Sequence, residues 1–199
     1  MFSRRAIIAA GGAALTWPAL AQTPLPRAIL TTPLGAIELE LAVDRAPITA
    51  ANFLAYVDQK RLDGSSFYRA MKLTAQPPSG LIQGGLEGDP AKVLAPIAHE
   101  PTTQTGIPHK DGVISLARYA PGTATCDFFV CVGDQQSLNA DPSQSGDNAG
   151  FAAFGHVTSG MDVVRKILLA PTSPTKGEGV MKGEMLDPTI AILTARRSA

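Results

Sequence analysis

Glycine and proline cut this chain into short pieces. Its 199 residues hold 19 Gly and 16 Pro, and both residue types favour turns and interrupt long helices. The pieces between them read mainly as strands. Ala36-Ile37-Glu38-Leu39-Glu40-Leu41 alternates apolar and charged residues, the pattern of a strand with one buried face. Phe67–Met71, Leu81–Gln83, Val113–Ala117, Phe128–Val132, Phe151–Val157 and Thr189–Thr194 are further strand candidates, several of them rich in β-branched or aromatic residues. Only two stretches carry helical spacing. One runs over about Pro47–Gln59, with Ile48, Ala51, Leu54, Ala55 and Val57 apolar and a proline in the first turn. The other covers Met161–Leu168, with Ser159 as its cap. Pro24–Thr32 reads as a lead-in. Lys72–Gly80, with Pro77-Pro78-Ser79-Gly80, reads as a turn, and Asp141–Gly150 and Pro171–Gly183 as loops. Gly84–Gly112 is expected to be mostly loop, with an edge strand over Val93–Ala98. Many short strands with two helices predict a mainly β fold, a barrel closed by helices. With 45% hydrophobic and 17% charged residues, the length suits one domain with its own core.

The N-terminus has a different character. Ser3-Arg4-Arg5 is followed by the apolar run Ala6–Leu15, and Ala19-Leu20-Ala21 fits a small-x-small cleavage site. Residues 1–21 are therefore expected to be an export signal of the twin-arginine kind, and 22–199 the folded domain. The apolar run is short for a membrane span and Pro18 interrupts it, so the mature chain is expected to have no stable membrane insertion. Export makes disulfides chemically possible. Cys126 and Cys131, however, are five residues apart in one extended stretch, roughly 16 Å at about 3.3 Å per residue. A disulfide needs Cα atoms within about 7 Å, so two free thiols are expected.

Charge and motif exclude several functions. The 17 basic residues balance the 17 acidic ones, and removing Arg4 and Arg5 with the signal leaves a net charge of −2. That gives no electrostatic case for nucleic acid. His99, His109 and His156 lack metal-ligand spacing and read as surface or loop histidines. Gly64-Ser65-Ser66 is not a nucleophile elbow, and neither Gly84-Gly85 nor Gly11-Gly12 sits in a phosphate-binding pattern. No cofactor or metal is expected. One residue stands out. On a regular strand Phe67, Arg69 and Met71 share a face, which sets an arginine among large apolar groups. Its stem alone could cover apolar surface there.

Five blocks then occur in order: Phe67-Tyr68-Arg69; Leu81-Ile82-Gln83-Gly84-Gly85; Ile114-Ser115-Leu116-Ala117-Arg118; Ala124-Thr125-Cys126-Asp127-Phe128-Phe129-Val130; and Phe154-Gly155-His156-Val157. Together they resemble the cyclophilin-type peptidyl-prolyl isomerases over roughly Ala28–Leu193. The resemblance implies an eight-stranded antiparallel barrel capped by two helices. It makes Arg69 the catalytic residue and Gln83 the group that bonds the substrate backbone. Ala117 and Arg118 would lie beside the peptide, with Asp127 next to them. Phe129, Leu138 and Leu81 would wall a proline pocket, Phe151 would stand where the family has His or an aromatic residue, and Phe67 would share the substrate-facing side with Arg69. Proline-containing polypeptides are the implied partners. A monomer acting in the periplasm on exported proteins is expected.

The chain departs from the family pattern in four places. Arg69 and Gln83 are 14 positions apart, about six more than the resemblance implies, and Thr74–Ser79 is expected to bulge beside the pocket. Gly80 falls where the family has a pocket phenylalanine. Asp127 stands in place of a glutamine, where an acid can pair with Arg69 or Arg118. Ser137 replaces the tryptophan linked to cyclosporin binding, so that ligand is expected to bind weakly. The insertion, Gly80 and Asp127 keep a second function open, a proline-peptide-binding module with little turnover.

Overall fold

The computed structural model describes residues 24–198; the expected export signal at 1–21 and its boundary at Gln22 lie outside them. Nine antiparallel strand segments form one sheet: β1 (Arg27–Thr32), β2 (Gly35–Leu41), β3 (Ser65–Ala75), β4 (Pro78–Gly85), β5 (Val113–Leu116), β6 (Phe128–Val132), β7 (Ala152–Ser159), β8 (Met185–Ile192) and β9 (Thr194–Ser198). The spatial order is β8-β3-β4-β6-β5-β7-β2-β1-β9. The two outermost segments are neighbours in sequence, separated only by Leu193. β8 pairs with β3 and β9 with β1, and the Leu193 N–H donates to Thr31 O (2.8 Å) at the crossover. The last strand thus leaves one neighbour for another and joins the two edges of the sheet. Counted as one broken strand, it makes the ring the expected eight-stranded barrel, and joining the edges removes the open rows of N–H and C=O groups that attract other chains.

Inward-facing side chains fill the barrel. Phe53, Phe67, Phe128 and Phe154 are fully buried, with Phe128 edge-on to Phe53 (5.5 Å) and to Phe67 (5.8 Å). Helix α1 (Pro47–Asp58) packs on β7 and β9, and helix α3 (Met161–Leu169) on β2, β3, β4 and β6. No side chain at Ala46 caps α1. Its first N–H groups are met instead by Glu100, only 1% exposed, whose carboxylate accepts from Ile48 N (3.2 Å), Thr49 N (2.8 Å) and Thr49 Oγ1 (2.7 Å). The cap of α3 is Gly160, one residue beyond the expected Ser159, at φ 92°. A Cβ there would stand 2.3 Å from Ala36 O, so the close approach of β2 selects glycine.

The expected strands and helices are found, with some boundaries moved. The lead-in is strand β1, and β9 continues the closing strand. Val93–Ala98 forms no strand. Val93, Leu94 and Ile97 still pack on the core, anchored by Leu94 N to Tyr56 OH (2.7 Å) and Ile97 N to Ala124 O (3.0 Å). A one-turn helix α2 (Thr102–Thr105) lies in the same long connection. Phe151 precedes β7 rather than opening it. The largest difference is at Lys72–Gly80, which is ladder rather than loop: β3 and β4 run on past the barrel as a hairpin, pairing Lys72 with Gly80, Thr74 with Ser79 and Ala75 with Pro78. The added residues do not bulge over the pocket. They lean towards α3, where Lys72 Nζ donates to Ala170 O (2.7 Å) and Leu73 shares a groove with Leu168 and Leu169.

Candidate functional site

Alternation along β6 puts Phe128, Val130 and Val132 inside the barrel and turns Phe129 and Cys131 outward. There they meet Leu81 from β4 and form a second, smaller apolar cluster, walled by Met71, Ala117, Leu138 and Phe151. Phe129 is edge-on to Phe151 (5.4 Å) on one side and stacked on the His109 ring (5.8 Å) on the other. The cluster opens into a cavity of about 480 Å³. Gly80 adds no wall. A Cβ there would lie 1.9 Å from Met71 O, so the tight β3–β4 pairing leaves no room for the aromatic side chain of the family pattern. Met71 packs on the cluster from the paired strand instead.

Arg69 reaches the same cavity through a bulge in β3. Against β4 the register slips by one between Phe67 and Arg69, with Tyr68 as the extra residue, and the pairing with β8 breaks at the same point, where residues 186–189 intervene on β8. The bulge reverses the alternation at this point. Phe67 faces inward and is fully buried in the barrel core, so it does not share the face of Arg69 and does not line the cavity. Tyr68, Arg69 and Met71 line it. Gln83 is the direct cross-strand partner of Arg69. Arg69 Nη1 donates to Gln83 Oε1 (2.8 Å), and Gln83 Nε2 donates to Tyr68 OH (2.7 Å). Burial pushes the Tyr68 phenol well above its ordinary range, so it stays protonated. On its other side Arg69 meets Glu184, with Nε (2.8 Å) and Nη2 (2.7 Å) both on Oε2.

The opposite wall holds the second arginine. Arg118 is committed to a loop: Nε (2.9 Å) and Nη2 (2.5 Å) donate to Gly150 O, Nη1 (2.7 Å) and Nη2 (2.8 Å) to Asp147, and Nη1 to Tyr119 O (3.1 Å). All five N–H donors of the guanidinium are used. Its carbon also lies 5.1 Å from the centre of the Phe151 ring. Asp147 is held below the ordinary carboxylate range, chiefly by the hydrogen bond from Arg118. Asp127 pairs with neither arginine, contrary to expectation. Its Oδ1 accepts from Leu86 N (2.7 Å) and Glu87 N (3.0 Å), which holds the turn after β4. Burial raises the Asp127 carboxyl against those bonds, and burial together with the Asp127 charge raises Glu87.

Of the residues singled out by sequence, Arg69, Leu81, Gln83, Ala117, Arg118, Asp127, Phe129, Leu138 and Phe151 line one cavity, and Phe67 alone does not. Sequence reasoning missed four groups. Tyr68 was masked by the bulge, whereas Met71, which shares the face of Arg69 as alternation implied, was not singled out as a wall of the pocket. Glu184, with Met181 and Met185 beside it on the cavity wall, follows a loop with no pattern that points back to β3. His109 is buried rather than a surface histidine. Asn139 Oδ1 accepts from both the His109 backbone N–H (2.9 Å) and Nδ1 (2.8 Å), leaving Nε2 to accept from the Ser115 hydroxyl (2.9 Å). Burial lowers the His109 pKa, and the ring is neutral behind Phe129. Both cysteines are free and buried. Among the described residues no group of three or more His, Cys, Asp or Glu could hold a metal ion, and no helix is long and apolar enough to cross a membrane. An oriented cation beside an apolar pocket and an amide is suited to gripping a peptide and stabilising a dipolar state of it.

Residues 27–193 match the family model described as cyclophilin type peptidyl-prolyl cis-trans isomerase/CLD. A peptidyl-prolyl cis-trans isomerase of Acinetobacter baylyi is 38% identical over 174 residues, covering 85% of each chain. Peptidyl-prolyl cis-trans isomerase A of Dickeya dadantii is 35% identical over 154 residues, covering 75% of each. A crystal structure of a cyclophilin type peptidyl-prolyl cis-trans isomerase from Cryptosporidium parvum, in the presence of the dipeptide Ala-Pro, superposes with a TM-score of 0.68 at 18% identity. It covers 87% of this chain and 99% of that one, and shows the shared fold.

Proposed function

This chain belongs to the cyclophilin-type peptidyl-prolyl cis-trans isomerases, and we propose that it turns X–Pro bonds with Arg69 as the catalytic donor and the Phe129 cluster as the proline pocket. Rotation about a peptide bond has a barrier of about 18–20 kcal/mol, so X–Pro bonds isomerise over tens to hundreds of seconds unaided. No covalent bond need break. In the twisted state the proline nitrogen becomes pyramidal and regains a lone pair that the planar amide lacks. A fixed guanidinium N–H bonds that lone pair only in the twisted state, which is selective transition-state binding. Leu81, Phe129 and Leu138 hold the ring, and the remaining N–H of Gln83 is free for the peptide backbone. The observation that carries the reading is that Arg69 and this apolar cluster open on one cavity while Gln83 orients the guanidinium.

A protease-coupled assay on an X–Pro peptide tests it. Arg69→Ala is expected to lower kcat about 100- to 1000-fold, the usual cost of one transition-state donor. A wild-type rate equal to the uncatalysed one would leave proline-peptide binding without turnover as the function.

The twin-arginine-like segment and the Ala19-Leu20-Ala21 site support a periplasmic enzyme acting, as a monomer, on exported polypeptides. N-terminal sequencing of protein recovered from the periplasm should begin at Gln22. Full-length chain confined to the cytoplasm would overturn this.

A further inference from the structure

We propose that Glu184 is a positioning residue for catalysis, setting the plane of the Arg69 guanidinium so that its remaining N–H groups face the substrate; this rests on Arg69 being the catalytic donor. An arginine side chain carries five N–H donors and long, flexible torsions. Two of the donors on Arg69 are taken, Nε by Glu184 Oε2 and Nη1 by Gln83 Oε1, while Nη2 lies in ion-pair contact, 2.7 Å, with the same Glu184 oxygen. The second N–H of Nη1 and the N–H groups of Nη2 make no hydrogen bond among the described residues. Gln83 alone fixes a single point, about which the guanidinium can still swing. Glu184 Oε2 adds a second anchor on the Nε–Nη2 side, and two anchors on opposite sides of the rigid guanidinium hold its plane. The pair is enclosed, with side chains 15% and 26% exposed, so it is less screened than a surface ion pair.

Glu184 is itself held independently of its side chain. Its carbonyl accepts from Ala70 N (2.9 Å), one residue beyond Arg69, and its N–H donates to Met181 O (3.1 Å). Met185, the next residue, is the cross-strand partner of Arg69. Truncating the carboxylate therefore leaves the backbone that carries it in place. The same loop sets Met181 and Met185 on the cavity wall, so the clamp and part of the substrate surface are one segment.

The test is steady-state kinetics on an X–Pro peptide with wild type, Glu184→Ala, Glu184→Gln, Arg69→Ala and the double variant Glu184→Ala/Arg69→Ala. The expected result for Glu184→Ala is a fall of about tenfold or more in kcat with KM within twofold, since a donor off its line loses transition-state binding alone. Glu184→Gln keeps an acceptor and should recover most of the loss. In the Arg69→Ala background Glu184→Ala should cost nothing more, whereas a merely structural residue would still lower activity there. The Arg69 Nε–H resonance, slowed in exchange by its carboxylate partner, should broaden or vanish in Glu184→Ala. A Glu184→Ala variant within twofold of wild type, or an equal loss in both backgrounds, overturns the proposal. A wild type without activity overturns the catalytic reading instead.

Discussion

Phe129→Ala should separate holding the proline from turning it. Phe129 is 3% exposed and lies between the Phe151 ring at 5.4 Å and the His109 ring at 5.8 Å. Truncating an enclosed phenylalanine costs about 3–5 kcal/mol. Here one side of the ring already borders the cavity, so water can fill part of the space and the low end, about 3 kcal/mol, is expected. For a domain of this size that is a fall in Tm of roughly 6–12 °C. The barrel core is on the other face of β6 and stays intact. The substrate loses the ring against which proline packs. At about 0.8 kcal/mol per buried methylene, a three-methylene ring that loses most of its contact gives up about 2 kcal/mol, some 30-fold in kcat/KM. That contact is made by planar and twisted peptide alike, so KM should rise while kcat stays within about threefold. Arg69→Ala should do the opposite. Kinetics at several substrate concentrations, with Phe129→Leu as a control of similar bulk, provide the assay. A Phe129→Ala enzyme with wild-type KM, or with its loss confined to kcat, would refute the assignment of the pocket.

Three further outcomes follow from the same geometry. His109 has a folded-state pKa lowered by burial, so the unfolded chain binds the proton more readily; stability should be fully present above about pH 6.5 and decline as pH falls through the lowered value. Denaturant titrations of wild type and His109→Asn at pH 5 and 7.5 check this, and an equal pH dependence in both would reject it. Arg118→Ala should free the Asp147–Phe151 segment, raising KM about three- to tenfold, and return Asp147 towards the ordinary carboxylate pKa in an NMR titration. Burial pushes both thiols up to about 12, so Cys126 and Cys131 should ignore a thiol reagent in the native protein and both react in denaturant; one reactive native thiol would contradict their burial.

What could be read in the sequence depended on whether the signal was local. The alternation in Ala36–Leu41 and the β-branched and aromatic runs are local, and they located β2, β5, β6 and β7 to within a few residues. The apolar stripe of α3 was legible for the same reason. Phe67 shows where local rules fail. Period-two alternation put it beside Arg69, and a one-residue bulge, invisible in composition, turned it into the core. Glu184 shows a second kind of failure. Its bond to Arg69 spans 115 residues and exists only because the chain closes β8 onto β3. His109 belongs with it, since its burial follows from Asn139 and Phe129 in other elements.

The spacing between Arg69 and Gln83 looked like the weak point of the site, and ladder geometry removes that concern. Residues added at the far end of a hairpin move the turn outward and leave the pairs below it facing each other, the odd residue here, Leu73, being taken up in a register shift between Lys72 and Thr74. Here Arg69 still faces Gln83 directly, and the hydrogen bond between their side chains is made at 2.8 Å. The extra length is absorbed at Lys72–Ser79, whose nearest partners are on α3 rather than in the cavity. A second constraint on Arg69 comes from the opposite side, from Glu184. A carboxylate there fixes the guanidinium and at the same time offsets its charge. For the lone pair of a twisted amide, which is neutral overall, a correctly aimed N–H matters more than net positive charge. Orientation is thus the larger effect, and the pair favours catalysis over simple retention of the peptide.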